Sequence, residues 1–313
     1  MKLASLLTVS SAAIALFAGS PAFAKVEAEA QAEAAEPMAE MVELPAGPEG
    51  PALWKVADED TTIYLFGTIH ILPDEVQWYD AEIAEALTSS DTIVTELKMD
   101  PESERQLQQV GMQMGMYQDG TTLRSVLSEE QTATYEAALA GLGAPPAAFD
   151  AFEPWMAGLT ITILPLMQQG YDLEAGVDKV LLGKAEGLNA DALETAEYQL
   201  GLFDTLPQDK QVAYLMEAVE AIPEVKTSID AMVAEWVEGD ADGLAELINE
   251  DLGDADLAEA LLYTRNANWA EWIETRLDTP GTVFMAVGAG HLAGQRSVQA
   301  YLAERDIETT RVQ

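Results

Sequence analysis

The chain has two histidines, and both close the same four-residue word. His70 ends Gly67-Thr68-Ile69-His70, and His291 ends Gly288-Ala289-Gly290-His291. An apolar, β-branched or aromatic run precedes each, Thr61 to Phe66 in the first case and Val283 to Val287 in the second. Such runs read as buried strands. A strand ending at the rim of a sheet sends its next residues into the crevice where α/β proteins hold ligands. Glycine lets the backbone turn tightly there. An imidazole three residues on can offer a ring nitrogen to a metal or a proton to a substrate. One Gly-x-x-His word is short and common; the repetition is the signal.

Two imidazoles need partners. Neutral histidines combine with carboxylates to hold a divalent ion that keeps one position open for water. Glu96 is the best local carboxylate. It lies in Ile93-Val94-Thr95-Glu96-Leu97, an otherwise apolar strand, where a charge is costly unless paired. An edge strand with Glu96 facing solvent is the alternative. Glu194 ends a second presumed strand in Ala192-Leu193-Glu194-Thr195, and Asp178 follows Gly176-Val177. With 55 acidic residues in the chain, either could equally be surface. Arg265, in Tyr263-Thr264-Arg265-Asn266, is one of only 15 basic residues. It could stabilise an oxyanion, clamp a carboxylate bidentately or form an ordinary salt bridge.

Met112, Met114 and Met116 alternate; core packing or a loop explains them more simply than a peptide-binding surface. Trp155, Trp269 and Trp272 read as core anchors. No H-E-x-x-H, G-x-S-x-G or P-loop word is present, and a Ser-His-Asp triad would have to borrow one of the two histidines. The chain has no cysteine, so a metal here would be held by imidazole and oxygen.

The elements that must position these groups follow from periodicity. Ala52–Val56 and Thr61–Phe66 predict a hairpin turned at Asp58-Glu59-Asp60. Tyr79–Ser89 has helical spacing, and Thr92–Leu97 is a short strand. Pro101 to about Gly187 is helical, Leu188–Leu193 reads weakly as a strand, and Pro207–Asn268 is helical again with breaks at Ile222-Pro223 and Gly239. Trp269–Leu277 continues as helix. Thr282–Val287 is a strand, Leu292–Arg305 a helix and Glu308–Val312 a last strand. Together they predict an α/β domain: a central mixed β-sheet with flanking helices and a largely helical insertion acting as a lid.

Residues 1–24 read as a cleavable signal peptide. Lys2 is followed by a short apolar stretch and by Ala22-Phe23-Ala24, with cleavage expected after Ala24 and export to the periplasm or beyond. Residues 25–50 hold seven glutamates against Lys25 and read as a disordered acidic linker. Residues 51–313 form the domain. Their 13 basic and 48 acidic side chains give a net charge of −35, which argues against nucleic acid and anionic membranes as partners and favours cations.

Read together, the chain resembles the TraB/GumN (TraB/PrgY) family over roughly residues 52–313. The resemblance rests on Gly67–His70, Glu96, Gly176-Val177-Asp178, Leu193-Glu194-Thr195 with Gln199, Arg265-Asn266, and Val287 to Leu292 with Gly294. Gln295-Arg296-Ser297-Val298 departs from the small-residue loop found there in the family. The family includes the TIKI metalloproteases, which trim the amino-terminal part of Wnt ligands using manganese or cobalt, and bacterial proteins that neutralise peptide pheromones. It is distantly similar to erythromycin-esterase and haem-binding ChaN-type folds.

The resemblance implies an exported metal-dependent hydrolase, a metallopeptidase acting on peptides or unfolded segments. Mn2+ or Co2+ would be the metal, with Zn2+ a further candidate. His70, His291 and Glu96 would be the metal ligands, with Glu96 as ligand or base and Arg265 stabilising the oxyanion. Glu194 and Asp178 would be further site carboxylates. Two alternatives stand beside it: a metal-independent esterase-like hydrolase using a histidine base, and a non-catalytic protein that sequesters a peptide or haem.

Overall fold

The computed structural model describes residues 50–251 and 255–313. The expected signal peptide and, but for Gly50, the expected acidic linker lie outside them. In chain order the elements are β1 (Leu53–Ala57), β2 (Thr61–Thr68), β3 (Leu72–Pro73), α1 (Ala81–Thr88), β4 (Thr92–Thr95), α2 (Pro101–Met114), α3 (Glu129–Gly141), α4 (Pro154–Met167), β5 (Tyr171–Asp172), α5 (Val177–Lys184), β6 (Asn189–Ala192), α6 (Ala196–Asp204), α7 (Gln208–Ala221), α8 (Val225–Val237), α9 (Ala241–Asp251), α10 (Ala255–Ala258), α11 (Thr264–Leu277), β7 (Gly281–Gly288), α12 (Val298–Ala303) and β8 (Thr310–Arg311).

One six-stranded mixed sheet runs in the order β6-β4-β7-β2-β1-β8. The four strands β6, β4, β7 and β2 are parallel, and β1 is antiparallel to β2 and to β8. Alternation along the central strands sorts their side chains to two faces, as the period of two requires. Val283, Met285 and Val287 of β7 join Ile63 and Leu65 of β2, Val94 of β4, and Trp269, Ala270 and Ile273 of α11. Phe284 and Ala286 join Phe66, Ile93 and the helical insertion on the other face. A parallel sheet needs this cover on both faces. No helix among the described residues is long and apolar enough to cross a membrane.

Register aligns the chemistry. In the β2–β7 pair, Gly67 faces Val287 and Thr68 faces Gly288. In β4, Thr95 faces Ala286 of β7 on one side and Ala192 of β6 on the other. Both Gly-x-x-His words, Glu96 and Glu194 therefore leave the carboxyl ends of four adjacent strands at one level. That edge is where parallel sheets place ligands. The two words also touch: a Cβ on Gly67 would stand 3.0 Å from the Cα of Ala289 and 3.1 Å from its Cβ. From the insertion, the Trp236 indole N–H donates to the Gly67 carbonyl at 2.8 Å and ties α8 to the first turn.

Two local expectations differ from the structure. The helix expected over Leu292–Arg305 is confined to α12, preceded by a 3-10 turn at Ala289–Leu292. Gly294, with φ of 81°, breaks the run, and the Ser297 side chain caps α12 by accepting from Ala300 N. The stretch Pro101–Gly187 is not continuous helix. It holds β5, whose two residues pair with β3, a pairing too short to leave a periodic signal. Of the methionines, Met112 is 59% exposed on α2, while Met116 bridges to Phe152 across a loop. Trp155 and Trp269 are core residues.

Candidate active site

The first turn builds a histidine–carboxylate pair. Asp178 lies in the first turn of α5, where a helix amino terminus favours a negative charge, and the Val177 N–H donates to the Ile69 carbonyl at 2.9 Å. Thr68 donates its hydroxyl to Asp178 Oδ1 at 3.0 Å, and His70 Nδ1 meets Asp178 Oδ2 at 2.5 Å. An ionised carboxylate only accepts, so Nδ1 carries the proton and the lone pair of neutral His70 is on Nε2. That atom is buried and, among the described residues, has no hydrogen-bond partner. Burial pushes the His70 pKa down, but Asp178 outweighs it and the value is raised.

Gly176 keeps this geometry possible. Its φ of −54° suits any residue, so the constraint is space. A Cβ there would fall inside van der Waals distance of the His70 carbonyl oxygen. Gly176→Ala is expected to displace the His70 turn and cost roughly 10²-fold in activity, as misplacement of a catalytic group by about 1 Å does. Parallel measurement of kcat and far-ultraviolet circular dichroism checks it. A folded Gly176→Ala protein of wild-type activity would contradict it.

The second turn is arranged the same way with a different partner. His291 Nδ1 meets Asn266 Oδ1 at 2.5 Å, and Asn266 Nδ2 donates to the Arg296 carbonyl at 2.8 Å. The amide oxygen can only accept, so His291 also carries its proton on Nδ1. Its Nε2 receives Arg265 Nη1 at 3.1 Å. The Trp269 ring covers it with centroids 4.2 Å apart.

Between the turns lies a buried ionic cluster. Glu96 Oε1 accepts the Gly288 N–H at 2.7 Å, the first residue of the second word. Glu96 Oε2 accepts from Arg265 Nη2 at 2.6 Å and from Gln199 Nε2 at 2.9 Å. Glu194 accepts from Arg265, from Gln199 Nε2 at 2.7 Å and from the Trp269 indole at 3.0 Å. Gln199 reaches both carboxylates because Thr195 caps α6, its side chain accepting from Tyr198 N at 3.2 Å. Burial raises the Glu96 pKa, but Arg265, the two histidines and the Gly288 N–H overcome it and hold the value at about 2. Glu96 is thus an anion near neutrality, and both its oxygens already accept hydrogen bonds.

A pH dependence follows. A carboxylate held at about 2 in the fold titrates near its ordinary range when unfolded. Its contribution is full above that range and lost as pH falls towards about 2. Urea midpoints are expected to fall more steeply with acid in the wild type than in Glu96→Gln. Equal slopes would dissociate the cluster from acid stability.

All six residues expected from sequence meet at this edge: His70 with Asp178, and His291, Glu96 and Glu194 around Arg265. Thr68 was not foreseen, and Trp269 does more than fill the core. It lies four residues after Arg265 on α11, the helical spacing that puts two side chains on one face. Of the expected metal donors, His291 Nε2 lies 3.9 Å from Glu96 Oε1. Among the described residues no group of three or more His, Asp or Glu side chains is arranged to hold a metal ion. His70 Nε2 is open, but His291 Nε2 and Glu96 are held by Arg265.

The model of the TraB/PrgY/gumN family matches residues 52–311. The chain belongs to the TraB/PrgY/gumN family. No curated protein and no solved structure matches it. In this TraB/PrgY/gumN member the matched span takes in every strand of the six-stranded sheet and every site residue above.

Proposed function

We propose that this chain is a hydrolase acting on peptides, with His70 as its proton-transfer group. The observation that carries the reading is the His70–Asp178 pair, whose outer nitrogen is buried and unpartnered. A buried lone pair left unmade costs about 1–3 kcal/mol, so its retention suits a working atom. Asp178 holds the tautomer and favours the imidazolium that forms when Nε2 takes a proton. In the reaction, Nε2 accepts a proton from water as the oxygen attacks the peptide carbonyl. The imidazolium then returns that proton to the departing amine as the C–N bond breaks. The peptide-directed members of the family support the substrate class, and the leader read in residues 1–24 supports export.

Arg265 acts through others. Its N–H groups are committed to Glu96, Glu194, His291 and the Leu261 carbonyl, so it is a positioning residue and not an oxyanion donor. The centre is closed, with His70 5% and His291, Glu96 and Arg265 0% exposed.

A second reading is a metal-dependent peptidase. The matched tautomers favour it, since both imidazoles have Nδ1 fixed by an oxygen and Nε2 available in type for a ligand. His70, His291 and Glu96 would hold Mn2+, Co2+ or Zn2+, which would supply activated water. Digestion of a peptide library, read by mass spectrometry, tests both. Cleavage is expected to persist in excess chelator and to be lost in His70→Asn. Cleavage that survives His70→Asn sinks the hydrolytic assignment. Activity lost to chelator and restored by a divalent ion selects the second reading, and peptides bound but uncut select sequestration.

A further inference from the structure

We infer that the resident cation of this centre is the Arg265 guanidinium, seated on the carboxylate and imidazole atoms that a divalent ion would need. The inference rests on the geometry and stands apart from the hydrolytic reading. A guanidinium has five N–H bonds, and five are accounted for. Nε donates to Glu194 at 2.9 Å. Nη1 donates to the Leu261 carbonyl at 2.9 Å and to His291 Nε2 at 3.1 Å. Nη2 donates to Glu96 at 2.6 Å and to Glu194 at 2.9 Å.

The charges explain why a permanent cation belongs there. Glu96 is fully buried and the Glu194 side chain nearly so, 0% and 7% exposed. Two carboxylates this close and this deep must protonate or find a cation. Arginine stays charged when buried, and its planar fork serves both acids at once. The seat is also tight. The Trp269 ring lies 4.8 Å from the guanidinium carbon and packs, tilted by 43°, against His291 as well. Just before α11, the π-turn Glu259–Tyr263 presents the Leu261 carbonyl to Nη1; such turns recur at functional positions.

A metal using His291 and Glu96 must therefore evict Nη1 and Nη2 and leave the guanidinium buried beside one carboxylate. His70 alone does not make a metal site. The chain thus supplies its own cation at these atoms. Removing that cation should uncover a metal site built from Glu96, Glu194 and His291.

Mn2+ binding to the full chain, followed by the electron paramagnetic resonance of the free ion near neutral pH, tests this. The acidic surface is common to all the variants, so site binding is the part that His291→Asn removes. Wild type and His291→Asn are expected to bind alike. Arg265→Met is expected to gain one Mn2+ bound at least about 10-fold more tightly, and to lose it again when Glu96→Gln is added. A wild-type Mn2+ site that weakens about 10-fold or more in His291→Asn overturns the inference, as does a folded Arg265→Met protein that gains no site. If Arg265→Met does not fold, the comparison of wild type with His291→Asn decides alone. Peptide cleavage is measured separately, so either conclusion can fail without the other.

Discussion

Replacing His70 with asparagine is expected to lower peptide hydrolysis by roughly 10³-fold, the range of a positioned acid–base group. The thermal midpoint should move by only a few degrees, because an asparagine amide can still donate towards Asp178. Loss of rate with little loss of stability separates a reacting group from a structural one. Asp178→Asn is expected to cost about 10²-fold or more, by a different route. The amide can donate to Nδ1, which moves the imidazole proton to Nε2 and removes the base. The lost activity should not return at higher pH, because the defect is a tautomer and not a titration. Single-turnover rates of the two variants across pH check this. A Asp178→Asn protein with wild-type kcat would detach Asp178 from the chemistry.

The largest effect on stability is expected from Arg265→Ala. It leaves Glu96 and Glu194 as unpaired buried anions and removes the donor to His291 Nε2. Breaking a buried ion pair by deleting one partner costs about 3–5 kcal/mol. In a domain of this size that lowers the thermal midpoint by on the order of 10 °C. Adding Glu96→Gln and Glu194→Gln should recover part of the loss, because the stranded charges are then gone. Calorimetry of the single and triple variants measures both quantities. An Arg265→Ala midpoint within about 2 °C of wild type would show that the cluster does not hold the sheet edge together.

The strands were legible because their information is local. Val283 to Val287 and Thr61 to Phe66 are apolar and end on glycine, so strand, turn and delivered histidine can be read within ten residues. The pairing of Leu72-Pro73 with Tyr171-Asp172 was not legible. Two residues carry no period, and their partner lies beyond α4.

The site divides in the same way. The types of its members could be named from the sequence: two imidazoles, an out-of-place glutamate on an apolar strand, and a scarce arginine. Their roles could not. Glu96 reads as a ligand or base, with a surface charge as the alternative, and Arg265, 169 residues away, is its partner only in the fold. Arg265 reads as an oxyanion donor until its N–H groups are counted against Glu96, Glu194, His291 and Leu261. Sequence alone determined the two Gly-x-x-His turns, since a strand and the glycine that ends it are set by neighbours in the chain. Tertiary structure alone decided which nitrogen stays open and which cation the carboxylates hold. Those follow from the parallel register of β6, β4, β7 and β2, which brings distant residues to one buried edge where charges must be paired.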